Sequence, residues 1–365
     1  MMEGDLEKVN PWPTKSWSEI LRDTDDFARS ISKYGPDGMR FSERVIEPVF
    51  GRYVTRNVEF REELEDLAAS LESYARRPRV KRPFNILLSA EPGSGKSFLL
   101  KQLAQCLPPD IDVEFDEYHV SAFRSIEDIY GAWQRVQSAN LQGKLPFVFF
   151  DEVDGEVEGR YVLANFLAAM WDGLFHIGKD SFALGRAIFA FAASNMLPNP
   201  KLNTANSAER LSYREFVSTW NDEVQLSITS QAGDGIRSDN RPVIPKCRDF
   251  IDRIDRMICI PPASPIMIGE DFREELLDIA CLLVKKHFEE IQEIEESALI
   301  ALVADLMESS SRRSAERCVF CARPNATQFG FSALPKAEQV RFQSQTDLNL
   351  EDHIGRWVKV KIMTK

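Results

Sequence analysis

The chain has 365 residues, 44% of them hydrophobic and 28% charged, which suits two to three domains and excludes wholesale disorder, a collagen-like repeat or a small disulfide scaffold. Acidic residues outnumber basic ones by 57 to 45, and the net charge of −12 has the wrong sign for a general nucleic-acid coat. No stretch approaches the ~20 apolar residues of a membrane span. The acidic, polar residues 1–10 do not read as a secretory signal, and the six scattered cysteines read as the reduced thiols of a cytoplasmic protein.

Residues 1–55 are broken by Pro11, Pro13, Pro36 and Pro48 yet carry Trp12 and Trp17, and they read as an N-terminal arm or small subdomain. A helix is expected over about 59–75, where Leu64, Leu67, Ala68 and Leu71 share one face. After a basic stretch at 76–82, short apolar runs at 85–90, 114–121, 146–150 and 187–193 alternate with helical patterns. Phe147, Val148, Phe149 and Phe150 leave no polar face, as in a central parallel strand covered by helices on both sides. Ile126, Ile129, Trp133 and Val136 share one helix face, with Ser125 and Asp128 placed to cap it; Leu163, Leu167, Met170 and Leu174 share another. Strands alternating with helices predict an α/β sheet. Residues 196–245 break this rhythm with a polar stretch that holds a short helix at about 209–219. A strand at 257–260 ends at Pro261 and Pro262. Helical segments follow near 271–291, 297–308 and 311–322, and the tail closes with a strand-like run at 356–363. Cys318 and Cys321 form a CxxC with no second ligand pair and read as a helix face.

The strongest chemical signal is Ala90-Glu91-Pro92-Gly93-Ser94-Gly95-Lys96-Ser97, with Phe98 opening the next helix. It follows an apolar strand and precedes a helix, where a phosphate loop belongs. Gly93 and Gly95 let several N–H groups face one point, and the helix N-terminus adds its positive end. Lys96 would reach the outer phosphates and the Ser97 hydroxyl would bind Mg²⁺. Ala90 stands where the usual pattern has its first Gly. The second signal is Asp151-Glu152, directly after the buried strand. Asp151 there can hold Mg²⁺, and Glu152 can orient and deprotonate an attacking water.

These residues, from about 50 to 323, resemble the AAA+ ATPases. FVFFDEVD at 147–154 looks like their Walker B strand, and LANFLAAMWDG at 163–173 resembles the following helix in the branch defined by a second region of homology. FAFAASN at 189–195 is similar to the sensor-1 strand, which implies that Asn195 positions the lytic water. Arg253-Ile254-Asp255-Arg256 resembles the arginine-finger segment, which implies that Arg253 and Arg256 reach a nucleotide held by a neighbouring subunit, with Arg248 a further candidate. Pairing of these arginines with Asp249, Asp252 or Asp255 is the alternative. Ser311-Arg312-Arg313 resembles the sensor-2 turn, with Arg313 the better nucleotide contact. From Lys96 to Asp151 is 55 residues, room for a helix, a strand and a helix. From Asn195 to Arg253 is 58, so 196–245 reads as an insertion. The aromatic–hydrophobic–Gly pore loop of protein-threading members is not intact; its nearest match is Tyr130-Gly131, which also reads as part of a packed helix.

The expected architecture is therefore a P-loop parallel sheet flanked by helices, over 56–262, followed by an α-helical lid at 263–323 and a tail at 324–365. The resemblance implies ATP and Mg²⁺ as cofactors and a homo-oligomeric ring, most simply a hexamer. The expected activity is ATP hydrolysis coupled to remodelling of a protein or nucleoprotein partner. The alternative is an ATP-gated switch or assembly scaffold with slow turnover.

Overall fold

The computed structural model describes residues 41–193, 212–229, 244–261, 272–308, 312–345 and 350–363. The chain forms two compact units. Among the described residues the larger takes in 48–193, 212–229 and 244–261, and the smaller takes in 41–47, 272–308, 312–345 and 350–363.

Strand β1 (Phe41–Ile46) belongs to the smaller unit. The larger unit begins with helix α1 (Val58–Ala75), whose N-cap Asn57 accepts the Phe60 N–H at 2.9 Å and whose Phe60, Leu64, Leu67 and Leu71 face inward. Strand β2 (Phe84–Ser89), helix α2 (Lys96–Gln105), strand β3 (Val113–His119), helix α3 (Ile126–Leu141) and strand β4 (Leu145–Asp151) follow. Ser125 and Asp128 close a capping box at the start of α3. Two short strands, β5 (Glu156–Val157) and β6 (Arg160–Tyr161), pair with each other before helix α4 (Leu163–Asp172). Helix α4 stops at Gly173, whose φ of 64° and whose approach to the Lys81 carbonyl, 2.3 Å from where a Cβ would sit, admit no side chain. A hairpin of β7 (Leu174–Ile177) and β8 (Asp180–Ala183) comes next, then β9 (Ile188–Ala192).

Helix α5 (Tyr213–Thr229) lies in the segment expected as an insertion and is longer than the sequence suggested. It docks on α1: the Tyr213 ring meets Phe60, its hydroxyl donates to the Cys259 carbonyl at 2.9 Å, and Arg214 pairs with Glu62 at 3.2 Å. Helix α6 (Cys247–Ile251) then leads into β10 (Arg256–Cys259).

The five-stranded sheet runs β10-β2-β9-β4-β3, with every neighbour parallel. Strand β4 is buried along Leu145–Phe150, as its uninterrupted apolar sequence predicts. Trp133 of α3 is fully buried against Phe150, Phe166 and Phe189, so Ile129, Tyr130 and Gly131 sit within a packed helix.

The smaller unit contains helices α7 (Phe272–His287), α8 (Glu296–Glu308), α9 (Arg313–Phe320) and α10 (Lys336–Gln345). It is not purely helical. Strands β11 (Glu293–Glu295), β12 (Gln328–Phe329) and β13 (Trp357–Ile362) join β1 in a sheet of order β1-β13-β11-β12. Strand β13 alternates buried and exposed residues, and it pairs in parallel with β1 from Phe41↔Trp357 to Ile46↔Ile362. A strand leaves half its main-chain polar groups unpaired unless a neighbour takes them, and the described N-terminal strand supplies that neighbour.

Candidate nucleotide site

The loop at 90–97 leaves the C-terminal end of β2, an interior strand between β10 and β9; the chain from β2 crosses the sheet to β3, whereas the chain from β9 returns past β2 to β10. Such a switch point opens a crevice at the strand ends. Gly93 and Gly95 have φ of 79° and 93°, a left-handed pair that turns successive N–H groups inward. Helix α2 starts at Lys96 with no side chain capping it, so its first N–H groups are available to a ligand. The Ser94 hydroxyl is buried there without a protein partner. Glu91 borders the loop, and burial raises its carboxyl above the ordinary range. Phe98 lies behind the loop, its ring 6.4 Å from that of Tyr53.

Two adjoining strand ends complete the site. Asp151 ends β4 and is half-buried; burial raises its pKa, and the ammonium of Lys96 opposes that shift. One Asp151 oxygen accepts the Glu152 N–H at 3.0 Å, and the other stands 3.8 Å from His119 Nδ1 on β3. Glu152 adopts a φ of 55°, a left-handed conformation that costs a side-chain-bearing residue of order 1–3 kcal/mol and gathers at functional sites. The surrounding chain holds it there: Val153 donates to the Ala192 carbonyl at 3.0 Å and Gly155 to the Glu152 carbonyl at 2.8 Å. The Glu152 carboxylate accepts a short hydrogen bond from the Ser121 hydroxyl.

Ser97 donates to Glu117 Oε1 at 2.6 Å, and Glu117 Oε2 pairs with Lys101 at 2.7 Å. Burial raises the Glu117 pKa, but the bonds from Lys101 and Ser97 outweigh it and leave the carboxyl below its usual value. Glu117, His119 and Ser121 were not singled out from sequence. The available signal was the alternation Phe115, Glu117, His119, which puts two polar residues on the strand face turned to α2.

The chain is similar to Hsp104 in a closed-state cryo-EM reconstruction with ATPγS and FITC casein, at 15% identity and a TM-score of 0.47. The similarity covers 72% of this chain and 44% of that one, so this chain matches less than half of its length. No protein-family model and no curated protein sequence matches the chain.

Asn195 falls outside the described residues. Arg256 opens β10 opposite Ile86 and Arg253 lies three residues before it, whereas the loop at 90–97 follows Ser89, the partner of Cys259. At about 3.3 Å per residue, Arg256 is about 10 Å back along the sheet from that end, and Arg253 lies further back. The Arg253 guanidinium bonds the Asp249 carbonyl, its Nε being buried without a partner, while Arg256 pairs with Asp66 of α1. Asp255 is taken by Arg82 at 2.7 Å, and Arg82 lies 4.3 Å from the Trp171 ring. Arg248 is exposed on α6, and Arg313 opens α9, exposed, in the smaller unit.

Among the described residues no group of three or more His, Cys, Asp or Glu is arranged to hold a metal, and no helix is long and apolar enough to cross a membrane. Mg²⁺ bound with a nucleotide needs only one or two protein oxygens beside phosphates and water. Ser97 and Asp151 meet that need beside a cradle of free N–H groups, so the residues fit Mg²⁺ with a triphosphate.

Proposed function

We propose that the chain is a Mg²⁺-dependent ATP hydrolase of the AAA+ type that works as a ring, most simply a hexamer, and couples hydrolysis to remodelling of a protein or nucleoprotein partner. The observation that carries this reading is the joining of an uncapped Gly93–Gly95 loop on β2 to Asp151-Glu152 at the end of a parallel strand two places away in the sheet. Main-chain N–H groups of Gly95 to Ser97 cradle the phosphates, and Lys96 neutralises the outermost. Ser97 and Asp151 hold the cation, which when bound with ATP offsets the charge of the phosphates. Glu152 takes the proton of the attacking water after release from Ser121. Asn195 orients that water, and Arg313 contacts the nucleotide phosphates.

Arg253 and Arg256 stand at the opposite end of the sheet from their own loop, which supports action on a neighbour. A guanidinium supplied in trans is worth about 10³–10⁵ in rate. ATP turnover per chain should rise steeply with protein concentration and fall at least about 10³-fold in Arg253→Ala. Turnover that is independent of concentration and indifferent to Arg253 would refute the trans assignment.

The Ser121–Glu152 bond favours a second reading, an ATP-gated switch or scaffold with slow turnover, because it engages the carboxylate that would act as the base. Glu152→Gln separates the two. A remodeller then traps its partner in the ATP state, whereas a switch signals as before or more strongly.

A further inference from the structure

We propose that Glu117 is a positioning residue for the metal-ligating hydroxyl of Ser97, fixing it with its lone pairs turned to the cation; this rests on the Mg²⁺–nucleotide reading above. A serine hydroxyl has one proton and two acceptor lone pairs. To ligate a cation it must place its proton elsewhere, or the proton competes for the same space. Ser97 gives its proton to Glu117 Oε1 at 2.6 Å. The second carboxylate oxygen is held by Lys101 at 2.7 Å. Lys101 is four residues after Ser97, on the same face of α2 and one turn away. Its ammonium also lies 5.7 Å from the ring of Phe115, two residues before Glu117 on the same strand face. The carboxylate is therefore tethered at both oxygens, and turning it away from Ser97 would break an ion pair.

Asp151 does not do this work in the structure. Its oxygens are engaged by the Glu152 N–H and faced by His119, and Lys96 is the opposing charge that acts on it most strongly. The two acids thus divide the site. Glu117 orients the hydroxyl, and Asp151 would offer its remaining lone pairs to the cation. The phosphate-loop pattern itself calls for no acid at this place on β3.

The test is binding of a fluorescent ATP analogue to the full chain, titrated over free Mg²⁺ and repeated in chelator. Groups that orient a metal ligand typically govern 10–100-fold of metal affinity. Glu117→Leu should therefore need about 10-fold more free Mg²⁺ for half-maximal tightening, with metal-free affinity unchanged. Glu117→Gln keeps an accepting oxygen and should shift the midpoint by only about threefold. In a Ser97→Ala background Glu117→Gln should add nothing, because the hydroxyl it orients is gone. An unchanged Mg²⁺ midpoint in both Glu117 variants overturns the proposal and leaves the nucleotide reading standing. So does an equal loss of metal-free affinity, which marks a structural role, or an additive effect on Ser97→Ala. A wild-type chain that binds no nucleotide in any condition removes the reading and the proposal together.

Discussion

The larger unit fills its interior with rings, whereas the smaller one buries charge. Around β4 and β9, Trp133, Phe150, Phe166, Phe189, Phe191 and Phe250 form a continuous aromatic cluster. Among the described residues the larger unit buries one carboxylate, Asp154, and the smaller unit buries five: Glu275, Asp278, Glu295, Glu296 and Asp305. Arg44 of β1 reaches Asp278 at 2.8 Å and Glu274 at 2.9 Å on α7. Glu295 accepts from Ser297, from the Phe331 N–H and from the Gly355 N–H. His353 meets Glu296 at 3.2 Å, and Arg341 meets Asp305 at 2.7 Å. Ring packing is non-directional and tolerates adjustment, whereas a buried carboxylate needs named donors at fixed places. The smaller unit therefore depends on segments that are far apart in the chain.

That contrast can be broken from either side. The largest effect belongs to the ring cluster: Phe150→Ala should destabilise the larger unit by about 3–5 kcal/mol, through lost burial and the cavity left behind, read by denaturant unfolding. A change near 1 kcal/mol would show that the cluster collapses around the gap. Next comes Arg44→Lys. Lysine keeps the charge but cannot fork to two carboxylates and the Glu274 carbonyl, so roughly 2 kcal/mol should be lost despite the charge-conserving change. Glu295→Gln should cost about 1–3 kcal/mol, because an amide N–H₂ is turned toward groups that are themselves donors. Hydrogen exchange of the Phe331 and Gly355 amides should rise with it, and unchanged protection would remove Glu295 from this role.

The smallest effect is alkaline. Burial pushes the Cys281 thiol from 9.0 up to about 12. The folded state then holds a proton that the unfolded state releases, so Cys281 stabilises fully below pH 9 and loses that contribution progressively as pH rises toward 12. Cys281→Ala should flatten the fall in unfolding midpoint above pH 9. An equally steep fall in the variant would assign it to other groups.

Much of the larger unit was legible. Strands expected at 85–90, 146–150 and 257–260 appear as Phe84–Ser89, Leu145–Asp151 and Arg256–Cys259, because short apolar runs between turn residues have few other uses. The hairpin at Leu174–Ala183 was not foreseen: its side chains are largely exposed, so no apolar pattern announced it. Helix α5 was expected shorter, since its polar face resembles the polar sequence on either side of it. The sequence pattern placed Lys96 and Ser97 after one strand and Asp151 and Glu152 at the end of another, and the sheet carries both segments two strands apart. Glu117 and Ser121 were not singled out, because the alternation of β3 marks a polar strand face without saying which ligand or partner that face meets.

Sequence alone determined the alternation of strands and helices, the glycine turn between β2 and α2 and the acids that follow the buried strand, because these are local patterns in which neighbours in the chain are neighbours in space. Tertiary structure alone decided that β1 and β13 pair across the length of the chain, that Arg256 meets Asp66, and that Ser97 faces Glu117. Those contacts join residues whose separation in sequence sets no period, and only the packing of whole elements brings them together.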